Sequence, residues 1–127
     1  MSEARPLVLV ADDEEDILML VDAVLSGAGF DVLQARDGAR AVELVRERRP
    51  QLAVLDVAMP ELDGLEVMRR VHCDPATANL PIVFLSARAQ EADVKRAYEL
   101  GASKYVRKPF SPRELVAIVS GLLDDAD

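Results

Sequence analysis

Apolar residues are laid out along this chain in two alternating regimes. Short unbroken runs (Leu7-Val8-Leu9-Val10-Ala11, Leu52-Ala53-Val54-Leu55, Ile82-Val83-Phe84-Leu85 and Tyr105-Val106) alternate with stretches in which apolar residues recur every three or four positions. The runs read as strands covered on both faces, and the spaced stretches as one face of a helix. Ile17, Leu20, Val21, Val24 and Ala28 predict the inner face of a first helix, ended by Gly27 and Gly29. Asp31 to Ala35 reads as a shorter second strand, and Ala41, Leu44 and Val45 as a second helix with Asp37 as N-cap. Leu65, Met68 and Val71 mark a third helix, and Val94, Ala97 and Tyr98 a fourth, stopped by Gly101. The last helix opens on Ser111-Pro112-Arg113-Glu114, a capping box with proline at the first helical position, and carries Leu115, Ile118, Val119 and Leu122.

Strand followed by helix, repeated five times, predicts an α/β domain with a parallel sheet. Right-handed crossovers leave few ways to wind five such units, and the commonest at this size has strand order 2-1-3-4-5. The 127 residues suffice for one core, about 7–123, and not for two, so residues 1–127 are expected to form a single domain.

Each apolar run ends on a polar residue that is useless for packing. The first ends on Asp12-Asp13, the third strand on Asp56, the fourth on Ser86 and the fifth on Lys108-Pro109. In a parallel sheet all carboxyl ends lie on one rim, and in the predicted order strands one and three are neighbours with a crevice between their exits. Asp12, Asp13 and Asp56 would share that crevice. Three carboxylates this close stay ionised only beside positive charge. Lys108 supplies one, and a hard divalent cation, Mg²⁺ with Mn²⁺ as an alternative, supplies the rest. Such a site suits the equatorial oxygens of a transferring phosphoryl group. A carboxylate at its centre can act as the nucleophile. Asp56, on the most central strand and beside the Ala58 carbonyl, is the best placed.

Composition narrows the partners. A net charge of −8, from 15 basic and 23 acidic residues, argues against non-specific binding to nucleic acid or an anionic membrane. No apolar stretch reaches the ~18 residues of a membrane span. Residues Met1 to Pro6 show no leader pattern, so a cytoplasmic location is expected. Cys73 is the single cysteine and reads as incidental. His72 reads as a surface histidine with no partner that would make it a phosphodonor or metal ligand, Tyr105 as a half-buried strand residue and Met59 as loop packing.

The constellation Asp12-Asp13, Asp56, Ser86 and Lys108-Pro109, with Met59-Pro60 and Asp63-Gly64 after the central aspartate, resembles the receiver domain of two-component response regulators, a flavodoxin-like, CheY-like three-layer sandwich. The likeness covers Leu7 to Leu123. It implies that Asp56 accepts phosphate from a histidine kinase or phosphotransfer protein. It implies Asp13, Asp56 and the Ala58 carbonyl as direct Mg²⁺ ligands, with Asp12 acting through metal-bound water. Lys108 would pair with a phosphoryl oxygen across a cis Lys108-Pro109 bond. Ser86 and Tyr105 would form a switch that biases the face of helix four, strand five and helix five. Ala58 and Arg88 would flank the attacking water and tune the phosphate lifetime. Lys104 stands where winged-helix relatives carry an acid that bridges a dimer, so a monomer or weak dimer is expected. With no effector domain in the 127 residues, output is expected through an unknown protein target rather than nucleic acid or membrane.

Two other functions share parts of this chemistry. A haloacid-dehalogenase-like phosphatase also uses a strand-end aspartate with Mg²⁺, but needs an acid two residues later, where this chain has Asp56-Val57-Ala58. A flavin-binding protein of similar fold would place a hydroxyl-rich loop after strand one, whereas Asp12-Asp13-Glu14-Glu15 repels phosphate. A receiver acting as an unphosphorylated scaffold would not need the complete set of groups. The expected role is a signalling domain rather than an enzyme that turns over a metabolite.

Overall fold

A computed structural model describes residues 5–88 and 90–125; the leader-free reading of residues 1–4 lies outside them. Ten elements alternate: β1 (Leu7–Ala11), α1 (Glu15–Gly27), β2 (Asp31–Ala35), α2 (Gly38–Arg48), β3 (Leu52–Leu55), α3 (Gly64–Cys73), β4 (Ile82–Ser86), α4 (Glu91–Glu99), β5 (Lys104–Arg107) and α5 (Pro112–Asp125). The sheet is parallel throughout, in the order β2-β1-β3-β4-β5. Among the described residues no helix is long and apolar enough to cross a membrane.

Register brings the strand exits level. Ala11 pairs with Leu55 and with Ala35, Leu55 with Phe84, and Ser86 with Arg107. The residues that follow these pairs therefore emerge side by side on one rim. Successive side chains of a strand point to opposite faces, which divides the core in two. Leu9, Ala53, Leu55, Ile82, Phe84 and Tyr105 pack under α2, α3 and α4, while Val8, Val10, Leu52, Val54, Val83 and Leu85 pack under α1 and α5. Every residue of β3 and β4 is buried. Each buried Val, Leu, Ile or Phe among them contributes ~1.5–3 kcal/mol relative to exposure.

Local chemistry ends the elements as expected at two caps. The Asp37 carboxylate accepts from the Arg40 N–H at 2.8 Å, and Ser111 Oγ accepts from the Glu114 N–H at 3.3 Å. The inner face of α1 differs from the expectation. Leu18, Val21 and Leu25 are its buried residues, whereas Leu20 is 48% exposed and Ala28 faces solvent. This helix is apolar over Ile17-Leu18-Met19-Leu20-Val21, so spacing alone does not fix its rotation. On α4 Ala97 is buried, but Tyr98 is exposed along one edge.

Candidate functional site

The rim is built by short turns that immobilise each acid. Asp12 leaves β1 with its N–H bound to the Ala35 carbonyl, and its Oδ1 accepts from the Glu14 N–H at 2.9 Å. Asp56 leaves β3 with its N–H bound to the Ala11 carbonyl, and its Oδ1 accepts from the Ala58 N–H at 3.1 Å. One oxygen of each carboxylate is thus held by its own loop. The other oxygen of each faces Lys108, whose Nζ lies 2.8 Å from Asp12 Oδ2 and 3.2 Å from Asp56 Oδ2. Asp12 and Asp56 are buried, and Asp13 stands exposed beside them. Carboxylate oxygens of Asp12, Asp13 and Asp56 all fall within 4.8 Å of one another.

Lys108 owes its position to β4. Its N–H donates to the Ser86 carbonyl at 2.9 Å, and the Lys108–Pro109 peptide bond is cis. Ser86 is buried, with its Oγ accepting from the Arg88 N–H at 3.2 Å. The Tyr105 hydroxyl donates to the Arg88 carbonyl. Arg88, expected to flank the attacking water, therefore links Ser86 and Tyr105 through its backbone. Tyr105 itself is buried rather than half-buried, tilted against Phe84 with ring centroids 6.1 Å apart. Its N–H donates to the Tyr98 hydroxyl at 2.9 Å, a contact that spacing did not foretell.

The loop from Val57 to Asp63 closes the rim from the α3 side. Asp63 caps α3 by accepting from the Glu66 N–H at 2.9 Å, and Gly64 donates its N–H to the Val57 carbonyl. A Cβ on Gly64 would stand 2.3 Å from the Asp56 carbonyl oxygen and 2.9 Å from Phe84. Only glycine lets α3 approach the acidic strand end so closely. The sequence shows Asp63-Gly64 as a pair but not this role, which needs the neighbour's coordinates. The Ala58 side chain is exposed, as is that of Arg88. Met59 is buried, and Cys73 is exposed. His72 is half-buried rather than fully on the surface, and its Nε2 lies 2.9 Å from the Leu80 carbonyl, a partner supplied by the approach to β4.

Electrostatics follow from this crowding. Burial pushes the Asp12 carboxyl above its usual range and Asp56 adds to the push, while Lys108 and the Glu14 N–H pull it back without cancelling it. For Lys108 burial is the largest single influence and favours the neutral amine. The hydrogen bonds and charges of Asp12 and Asp56 together outweigh it, so its pKa is raised. Three carboxylates against one ammonium leave an excess of negative charge, and oxygen donors at this separation can hold a divalent cation.

Comparison with known proteins gives a consistent picture. A family model described as the response regulator receiver domain matches residues 8–120. The DNA-binding response regulator MtrA of Mycolicibacterium smegmatis is 41% identical over 123 residues, covering 97% of this chain and 53% of that protein. The alkaline phosphatase synthesis transcriptional regulatory protein PhoP of Bacillus subtilis is 42% identical over 116 residues, 91% of this chain and 48% of that protein. The chain thus spans about half the length of the curated relatives it matches. Among solved structures, the receiver domain of the Francisella response regulator 1452 superposes with a TM-score of 0.90 at 30% identity, covering 97% of this chain and all of that one. The chemotaxis protein CheY4 of Vibrio cholerae superposes with a TM-score of 0.87 at 28% identity, over 93% and 98% of the two chains.

Proposed function

The chain belongs to the response regulator receiver domain family of two-component signalling, and from that premise we propose that it is a phosphoacceptor switch whose phosphorylated residue is Asp56. The observation that carries this reading is the Lys108 ammonium between two buried carboxylates, beside a third within 4.8 Å. No packing requirement explains that arrangement, since burying acids in excess of cations is costly.

In this reading the Asp56 oxygen that faces Lys108 attacks the phosphorus of a phosphohistidine on a kinase or phosphotransfer protein. The phosphorus–nitrogen bond breaks, and the electron pair leaves with the imidazole. Lys108 moves from Asp56 to a phosphoryl oxygen while keeping Asp12. Asp13, Asp56 and the Ala58 carbonyl would hold Mg²⁺, with Mn²⁺ as an alternative, and Asp12 would assist through water. Bound there, the cation supplies the positive charge that lets phosphate approach three carboxylates. Ser86 turns its hydroxyl to the phosphoryl group. The Arg88 backbone carries that change to Tyr105, and so to the face made by α4, β5 and α5. Ala58 and Arg88 flank the approach of water and set the lifetime of the acyl phosphate.

Output from this stretch passes through contact with another protein, in a monomer or weak dimer located in the cytoplasm. The DNA-binding names belong to relatives about twice as long, so DNA binding is not transferred to residues 1–127. The domain promotes its own phosphorylation and dephosphorylation but turns over no metabolite. The test is incubation with acetyl phosphate and Mg²⁺, read by intact mass and by nuclear magnetic resonance of Ser86 and Tyr105. Wild type should gain one phosphoryl group and shift both residues, and Asp56→Asn should do neither. Phosphate uptake by Asp56→Asn, or none by wild type, would sink the assignment.

A further inference from the structure

Two glycines have another segment's backbone where a side chain would stand, and they border the same loop from opposite ends. Gly64 faces the Asp56 carbonyl. Gly38, buried at the start of α2 just after the Asp37 cap, faces Leu62. A Cβ on Gly38 would lie 2.2 Å from the Leu62 carbonyl oxygen and 2.9 Å from the Leu62 Cβ. By contrast, a Cβ on Gly27, Gly29 or Gly121 would meet nothing within 4 Å.

The loop between them is tied at its base and bent at its tip. The Val57 carbonyl accepts from the Met59 N–H at 3.2 Å and from the Gly64 N–H at 2.9 Å. At the tip the Leu62 N–H donates to the Pro60 carbonyl at 2.7 Å, closing a three-residue turn on Glu61. Glu61 has a φ of 66°, a region that residues with a side chain seldom enter. Such a conformation persists only where its surroundings enforce it. Glu61 is exposed and enforces nothing itself. Leu62 does so: it is half-buried, packed on the α2–α3 side of the core, and its carbonyl rests against Gly38.

We infer that Gly38 is a positioning residue for the divalent cation, acting through Leu62 on the loop that carries the Ala58 carbonyl. The inference rests on the switch reading above and assigns a part of α2 to its cation site. A methyl at position 38 must displace either α2 or the loop. The helix is anchored by Ala41, Val42, Leu44 and Val45, all buried, whereas the loop is held by Met59 and the half-buried Leu62. The loop therefore gives way. Its base is fixed by the Val57–Gly64 bond, so the movement goes into residues 58–62. The Ala58 N–H is bound to Asp56 Oδ1, and a shift of Ala58 disturbs two of the proposed ligands at once. Asp12, Asp13 and Lys108 follow other strands and keep their places. The expected lesion is a weak cation site in an otherwise complete rim.

The test is a Mg²⁺ titration followed by amide nuclear magnetic resonance shifts, which reads the cation without any turnover. Gly38→Ala should bind Mg²⁺ about ten-fold more weakly than wild type, under conditions where circular dichroism shows both folded. Gly121→Ala, which adds its methyl to open space on α5, should bind Mg²⁺ as wild type does. With acetyl phosphate, Gly38→Ala should lag at limiting Mg²⁺ and approach the wild-type rate at saturating Mg²⁺. A glycine needed only for folding would lower the urea midpoint and leave Mg²⁺ affinity unmoved, and that result would overturn the inference. A rate that stays low at saturating Mg²⁺ would overturn it too. Should Gly38→Ala fail to fold, Leu62→Ala frees the same turn from the core without crowding it. That variant should also bind Mg²⁺ more weakly, and wild-type affinity in it would overturn the inference. If Gly38→Ala loses Mg²⁺ affinity but wild type takes no phosphate on Asp56, the switch fails and the positioning role stands. If Asp56 is phosphorylated and Gly38→Ala binds Mg²⁺ like wild type, the positioning role fails and the switch stands.

Discussion

At the carboxyl-terminal rim three carboxylates share one ammonium group, whereas on the outer face of α3 two guanidinium groups share one carboxylate. Asp12 and Asp56 are buried with Lys108 between them. Glu66 is partly exposed, its side chain at 32%, with Arg69 Nη2 at 2.5 Å and Arg70 Nε at 3.0 Å from its Oε2. The consequences are opposed in sign. The Asp12 carboxyl is pushed above its usual range by burial, and the Glu66 carboxyl is drawn down to about 2 by hydrogen bonds from Arg69 and then Arg70. An acid in excess of its cations, kept dry, stores an unmet need for positive charge. An acid with more cations than it needs, kept wet, stores nothing a ligand can use. Carboxylates and cations make an electrostatically unbalanced rim in one place and a helix surface whose acid is fully paired in the other.

The two regions meet at Gly64, where α3 begins against the Asp56 carbonyl. Gly64→Ala should therefore have the largest effect. The added methyl meets backbone oxygen and the Phe84 ring, so either α3 or the Asp56 turn must shift, at ~3 kcal/mol. Urea unfolding would show the loss, and phosphorylation by acetyl phosphate should slow in parallel. A full phosphorylation rate in this variant would mean that the rim is organised without α3.

Lys108→Met comes next. It leaves Asp12 Oδ2 and Asp56 Oδ2 facing each other without their shared donor. Removing the partner of a buried charged acceptor costs ~2 kcal/mol. The deficit should appear in chelator and shrink as Mg²⁺ is added, because a ligand that binds the folded state adds its binding free energy to stability. An equal deficit with and without Mg²⁺ would break the comparison, since the rim would then need Lys108 for packing rather than for charge.

Much of this rim was legible in the sequence for a geometric reason. Unbroken apolar runs identify strands buried on both faces, and the polar residue ending each run must surface on the common rim, whatever the details of packing. Asp12, Asp13, Asp56, Ser86 and Lys108 needed nothing more to be gathered together. What stayed hidden depends on contacts between distant segments. The rotation of α1 was obscured because Leu18, Met19 and Leu20 are interchangeable by hydropathy, and only docking on the sheet selects Leu18. The Leu80 carbonyl that receives His72, the Tyr98 hydroxyl under Tyr105 and the Arg88 backbone between Ser86 and Tyr105 all join residues that no periodicity connects. Gly64 was visible as a helix start, and invisible as the contact on which the Asp56 turn leans.

Asp12→Asn should act in the reverse direction. In the folded protein this carboxyl holds its proton to a higher pH than in the unfolded chain. The ionised form therefore costs stability, fully so above the folded pKa, and the cost fades as pH falls toward the ordinary value of 3.8. Asparagine resembles the protonated acid. In chelator at neutral pH the variant should be more stable than wild type by ~1 kcal/mol, because a carboxyl whose pKa is raised on folding weakens the folded state when it is ionised. Its gain from Mg²⁺ should be smaller than that of wild type. A variant less stable than wild type at neutral pH would show that the Lys108 pair outweighs burial, and the proposed excess of negative charge would be wrong.

Glu66→Gln should have the smallest effect, and its sign is the opposite of that for Asp12. A carboxylate whose folded pKa lies near 2, below its ordinary 4.5, contributes stability above 4.5 that disappears as pH falls through 2. Wild type should therefore lose stability on acidification slightly more steeply than Glu66→Gln, in that window alone. The contribution is weakened by solvent, because exposed ion pairs are screened and pay side-chain entropy to hold their geometry. High salt should bring the two unfolding curves together. The same salt should leave the Asp12→Asn difference largely intact, because screening by mobile ions reaches an exposed pair far better than a buried one. If salt erased both differences equally, the rim would be as open to solvent as the α3 face, and the distinction between a charged site and a charged surface would not hold for this molecule.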